Sequence, residues 1–162
     1  MKFFKWLLPL ITAASLAVGV SAASVENTEY KLTHAYTLRI ENKTLETEKL
    51  PFSAYQVGGD DVTDVMIPLR AVCEALGYIV GWNPDNGEIT VDDGVQIMIV
   101  TDGCMEAKFI GKMGLTSLDR VMPLAFPVII HDGHTYVPLS LFSCMLTESK
   151  VMSGEIQIKR MK

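Results

Sequence analysis

Three cysteines, three histidines and two tryptophans are all that 162 residues offer of the side chains that most often build disulfides, metal centres and aromatic platforms. The odd cysteine count excludes a complete disulfide framework and leaves at least one thiol free or paired between chains. Positive charge is also short, because 14 Lys and Arg face 19 Asp and Glu. Binding a phosphate backbone needs clustered cations; here they are scattered and outnumbered, which disfavours a nucleic-acid partner. Ser53, Ser140 and Ser143 lack a Gly-x-Ser-x-Gly elbow, and no EF-hand spacing surrounds Asp60-Asp61-Asp64 or Asp92-Asp93. Acids in glycine turns serve turn geometry and solvation, so the chain reads as a protein that is not an enzyme.

No apolar run reaches the roughly 20 residues that span a bilayer. The longest, Trp6 to Val20, is interrupted by Pro9, preceded by Lys2 and Lys5, and followed by Val20-Ser21-Ala22-Ala23. That order is a secretory signal peptide over residues 1–23, cleaved after Ala22 or Ala23. The expected product is secreted or associated with the cell envelope, without a membrane span. Losing Lys2 and Lys5 leaves twelve basic against nineteen acidic residues, a formal charge of about −7. Residues 24–35 read as a polar leader and 36–162 as one domain.

What the chain does contain is an echo. Met66-Ile67-Pro68-Leu69-Arg70 returns as Tyr136-Val137-Pro138-Leu139-Ser140, and Gly87-Glu88-Ile89-Thr90-Val91 returns as Gly154-Glu155-Ile156-Gln157-Ile158. Two copies of one unit are implied, over about 36–91 and 95–160. Pro68 suits a first helical turn, and Leu69, Val72, Cys73 and Leu76 recur at helical spacing up to a Gly77 stop. In the second copy Leu139, Phe142, Met145 and Leu146 repeat the pattern without a glycine stop. Val95 to Val100 predicts a strand covered on both faces. Asp93-Gly94, Asp102-Gly103 and Asp132-Gly133 mark hairpins. The expected fold is α+β: two related β-rich copies with one short helix each, the helices packed on twisted antiparallel sheets. Cys73 and Cys144 take nearly matching places on those helices, as a disulfide or as two small buried apolar residues.

The stretch Ile67-Pro68-Leu69-Arg70-Ala71-Val72-Cys73-Glu74-Ala75-Leu76-Gly77, with Gly81-Trp82-Asn83-Pro84, Ile89-Thr90-Val91 and Asp132-Gly133-His134-Thr135-Tyr136-Val137-Pro138-Leu139, resembles the copper amine oxidase N-terminal domain-like modules, or stalk domains, of secreted bacterial proteins. The resemblance runs from about Tyr36 to Lys159 and is closest in the first copy. In the second, Ser140 replaces the arginine, Thr147 stands near the missing glycine, and a Trp-Asn turn is absent. The resemblance implies a non-catalytic binding or stalk module, without cofactor, that contacts a polymer or protein of the cell envelope. Arg70 and Trp82 are the candidate contact residues, forming an aromatic and basic patch if both are exposed. An alternative is a small secreted metal-binding protein, with His131 and His134 bracketing a hairpin turn and Cys104 as a third ligand. Met98, Met105, Met113, Met122, Met145 and Met152 show no tight pairing and read as core packing.

Overall fold

The computed structural model describes residues 28–32, 36–47, 51–56, 63–112 and 119–161. The signal peptide expected over 1–23 lies outside them. The first elements are strands β1 (Thr28–Leu32), β2 (Thr37–Ile40), β3 (Lys43–Thr44), β4 (Phe52–Gln56) and β5 (Thr63–Pro68), followed by helix α1 (Leu69–Ala75). Strands β6 (Ile79–Trp82), β7 (Ile89–Asp92), β8 (Gln96–Val100), β9 (Glu106–Gly111) and β10 (Arg120–Pro123) form a meander. The chain ends with β11 (Ile129–His131), β12 (His134–Pro138), a 3-10 helix over Leu139–Cys144, β13 (Thr147–Met152) and β14 (Glu155–Arg160).

These strands make three sheets, ordered β1-β4-β5-β12-β11, β10-β9-β8-β7-β6 and β13-β14-β2-β3. Among the described residues every pairing is antiparallel except β14 with β2. That exception has a plain cause: β2 comes from the front of the chain and β14 from its end, so no hairpin dictates their direction. The span expected to be a polar leader contains β1, which pairs with β4 along five residues from Thr28 opposite Gln56 to Leu32 opposite Phe52.

The fold is therefore β-rich and largely antiparallel, with two short helical segments, and the second is not α-helical. Ala71 and Ala75 favour α1, as does the i, i+4 pair of Arg70 and Glu74. In the second segment the Ser143 hydroxyl donates to the Ser140 carbonyl at 2.6 Å, so a side chain competes for the backbone. The segment stops at Leu146, which takes the left-handed conformation (φ +52°) where Gly77 stands after α1 (φ +83°). Leu146 is also 46% exposed. Leu146→Gly should therefore stabilise the fold by about 1 kcal/mol, raising the thermal midpoint by a few degrees. An unchanged or lowered midpoint would show that the leucine carries no strain there.

One main core joins all three sheets, with Ile67, Val72, Cys73, Val91, Phe109, Val137, Phe142, Ile156 and Ile158 fully buried. At its centre β5 and β12 lie side by side, Met66 opposite Pro138, Ile67 opposite Val137 and Pro68 opposite Tyr136. Strand alternation sends Ile67 and Val137 into the main core, while Met66 and Tyr136 join Phe126 in a second cluster. The strand expected to be covered on both faces has Gln96, Met98 and Val100 buried, but Ile97 and Ile99 are half-buried. Gln96 is a buried polar side chain with partners: its amide donates to Asp93 at 3.0 Å, and its carbonyl accepts from Arg120 at 3.0 Å. Arg120 also donates to the Cys144 carbonyl at 2.8 Å and lies 4.3 Å over the Phe109 ring, which ties the meander to the 3-10 helix.

Candidate functional site

Pro68 carries the chain from β5 into α1 with extended geometry (φ −66°, ψ 103°), which sets Arg70 on the first turn of the helix. The helix closes with the Gly77 N–H on the Glu74 carbonyl and the Tyr78 N–H on the Cys73 carbonyl, both at 2.9 Å. That tight reversal lays β6 back alongside α1. Arg70 spans the gap, its Nη1 donating to Glu74 Oε1 and to the Val80 carbonyl, each at 3.3 Å. Gly81 keeps β6 close to β7, because a Cβ there would stand 2.6 Å from Thr90 Oγ1.

Between α1, β6 and the β11–β12 hairpin opens a cleft of about 550 Å³. Its apolar lining includes Leu69, Val80, Trp82, Ile89 and Ile130, and its polar groups include Arg70, Glu74, His134 and Thr135. Trp82 is 60% exposed and Arg70 is exposed as well, so the two residues picked out from the sequence share one open cleft. Ile130 carried no sequence signal, and neither Glu74 nor Thr135 was singled out within its motif; the hairpin residues reach the cleft only through the β5–β12 pairing.

The metal alternative divides. His131 and His134 are direct cross-strand partners. His131 Nε2 lies 3.6 Å from Asp132 Oδ2, and its ring meets Tyr136 edge-on at 6.5 Å. Cys104 turns elsewhere: its sulfur accepts the Thr101 N–H at 3.4 Å, and the residue packs against the main core. Among the described residues no group of three or more His, Cys, Asp and Glu is placed to hold a metal ion. All three cysteines are thiols rather than disulfide partners, and Cys73 is fully buried.

The carboxylates of the turns are engaged locally. Asp92 accepts from Lys112 at 2.7 Å and from the Gly94 N–H at 2.8 Å, which holds its carboxyl below the usual range. Asp93 accepts the N–H groups of Val95 and Gln96, both at 2.9 Å. Asp64 accepts from the Ser140 hydroxyl at 2.8 Å, and Asp60 and Asp61 lie outside the described residues. Met98 and Met145 are buried, Met122 packs on the core, and Met152 is exposed; Met113 lies outside the described residues.

Fold and cleft together define a β-rich, mainly antiparallel domain with an open surface groove. The model of the copper amine oxidase N-terminal domain matches residues 39–149, and the chain belongs to that family. The domain that gives the family its name is non-catalytic and stalk-like. Every residue named in the cleft falls inside the matched span. Neither curated proteins nor solved structures gave a match. No helix among the described residues is long and apolar enough to cross a membrane.

Proposed function

We propose that the chain is a non-catalytic binding or stalk module, exported by its signal peptide and making contacts at the cell surface or in secreted assemblies through the cleft beside α1. The observation that carries this reading is the pairing of an exposed Trp82 with an exposed Arg70 in one groove. A large exposed aromatic and a guanidinium lining one groove are the composition of a contact centre rather than of an inert surface. Membership of a family named for a non-catalytic domain supports the same reading. The metal alternative has in its favour the cross-strand register of His131 and His134, which is two ligands without a third.

The two-copy reading gains support from the β5–β12 register. Residues 66, 67 and 68 face 138, 137 and 136, which is the arrangement two equivalent strands adopt across a local twofold axis. The same relation equates Arg70 with Ser140 and His134 with Asp64. Arg70 and His134 line the open cleft, whereas Ser140 and Asp64 are hydrogen-bonded to each other. On the two-copy reading, the positions equivalent to Arg70 and His134 are thus engaged with each other.

Expression of the full tagged chain in a bacterial host with fractionation tests the reading. The protein is expected in the envelope or the medium with its N-terminus at Ala23 or Ser24, and Arg70→Ala with Trp82→Ala should shift it from envelope to medium while leaving its thermal midpoint nearly unchanged. Retention in the cytoplasm with an intact signal peptide would overturn the export part. Equal envelope association of the double variant would overturn the role of the cleft.

A further inference from the structure

We propose that the cleft receives an extended peptide strand bearing a carboxylate, which pairs with the open edge of β6 and is anchored by Arg70. This rests on the reading of the chain as a contact module and names the occupant. The first ground is the backbone. β6 is the last strand of its sheet, and its register sets Gly81 opposite Thr90 and Trp82 opposite Ile89. The Asn83 N–H donates to the Glu88 carbonyl at 2.8 Å, so Asn83 and Gly81 face β7. Alternation then turns the N–H and C=O of Val80 and Trp82 outward. Among the described residues the one donor that reaches these groups is Arg70, on the Val80 carbonyl.

The second ground is that this edge carries little protection beyond its short length and the Arg70 contact. Free edges are commonly blunted by lysine, proline or a bulge, and Ile79-Val80-Gly81-Trp82 has none, with Ile79 72% and Trp82 60% exposed. Four residues at about 3.3 Å each give an edge roughly 13 Å long, which suits a segment of four or five residues. Val80, Trp82 and Ile130 offer apolar surface to alternate side chains of such a segment.

The third ground is charge. Arg70 uses Nη1 for both of its bonds; Nε and Nη2 donate to nothing among the described residues. That side of the guanidinium matches a carboxylate in the two-pronged geometry arginine prefers. A carboxylate that draws Arg70 toward itself also releases the Val80 carbonyl, which becomes an acceptor for a peptide N–H. Arg70 is thus a cover for the edge and the anchor that removes it. A neutral glycan stacked on Trp82 would bring neither a carboxylate to the guanidinium nor an alternating N–H and C=O ladder to the edge.

The test uses the full chain and a display library of random eight-residue peptides. The selected sequences are synthesised with the acid intact, with the acid as carboxamide, and with alternate backbone amides N-methylated. Affinity is read from Trp82 emission, with Trp82→Phe subtracting other signals. Selected peptides should alternate apolar residues and share an Asp or Glu. N-methylation of one alternate set should weaken binding about tenfold or more, with the other set tolerated. Arg70→Gln should weaken the acidic peptide about tenfold, while its carboxamide form binds both proteins alike. Failure to select a binder, indifference to N-methylation or no preference for an acid each overturns the proposal. Binding of soluble peptidoglycan glycan strands at Trp82, without peptide binding, would overturn it and leave the contact-module reading standing. Concentration-dependent dimers abolished by Trp82→Ala would overturn it in favour of a second copy pairing at β6. The carboxamide and N-methyl peptides keep the test decisive if a protein variant fails to fold.

Discussion

Phe142→Ala should lower the free energy of unfolding by about 3–5 kcal/mol and the thermal midpoint by roughly 10–20 °C. The side chain is fully buried in the main core, and it anchors the 3-10 helix that packs against β5, β12 and β13. Its loss leaves a cavity that three strands would have to collapse around, and its own backbone makes collapse difficult. The Phe142 carbonyl accepts from the Met145 N–H at 3.0 Å and from the Thr147 hydroxyl, so the turn is pinned at the point where the cavity opens. Against a total stability of about 5–15 kcal/mol, a loss of this size would leave the variant marginal. Ser143→Ala, an exposed change on the same turn, should move stability by less than about 1 kcal/mol. Urea titrations with a constant slope would measure both. A Phe142→Ala loss below about 1 kcal/mol would mean that the ring is not the packing anchor of the second half.

Alkaline pH should destabilise the protein in two stages. Burial, reinforced by the nearby charges of Glu74 and Asp93, pushes the Cys73 thiol well above its ordinary range. Burial likewise pushes the Tyr78 phenol up to about 12, while its hydroxyl donates to the Met145 carbonyl at 3.4 Å. Both groups hold their protons more tightly in the folded chain, so the unfolded chain releases them first, near pH 8.5 for a thiol and about 10 for a phenol. Stability from these groups is complete below about pH 8.5. It then falls as pH rises, by about 1 kcal/mol per pH unit for each titrating group, and Tyr78 continues until about pH 12. Cys73→Ala should be less stable than the parent at pH 7, by about 1 kcal/mol for the missing sulfur. Its stability should decline less steeply between pH 9 and 10, so the two proteins converge as pH rises. Unfolding titrations at steps of half a pH unit would follow this, and parallel curves would rule out Cys73 as the source of the first stage.

Much of this architecture is readable along the chain. Strict local rules place β5, α1 and β6: Pro68 opens a helix, Leu69, Val72, Cys73 and Leu76 fall on one apolar face, and Gly77 takes the left-handed conformation that ends it. The glycine turns 93–94, 102–103 and 132–133 lie between strands as their composition requires. The weaker second helix was visible in its missing glycine, but its 3-10 form was not. That form reflects the Ser143 to Ser140 bond and the strain taken by Leu146, both of which depend on where β13 must begin. The strand at Thr28–Leu32 escaped notice because its alternation, Tyr30 and Leu32 against Glu29 and Lys31, is too short to separate a strand from a loop, and only the pairing with β4 fixes it. Gln96 was invisible as a buried polar group for a similar reason: its partners Asp93, Arg120 and the Cys144 carbonyl come from three separate stretches.

By itself the sequence determined the elements from β5 to β8, the glycine turns, the family and the residue types available for contact, because these follow from local sterics, periodicity and composition. It singled out Arg70 and Trp82 as one patch on the condition that both are exposed. Only the tertiary structure decided that they share a cleft, that Cys104 turns away from His131 and His134, and that His134 and Ile130 stand across the groove from β6. The physical reason is that a cleft is made by pairing across long separations. Ile67 beside Val137 brings the hairpin to the helix, and no spacing within either stretch encodes that neighbour.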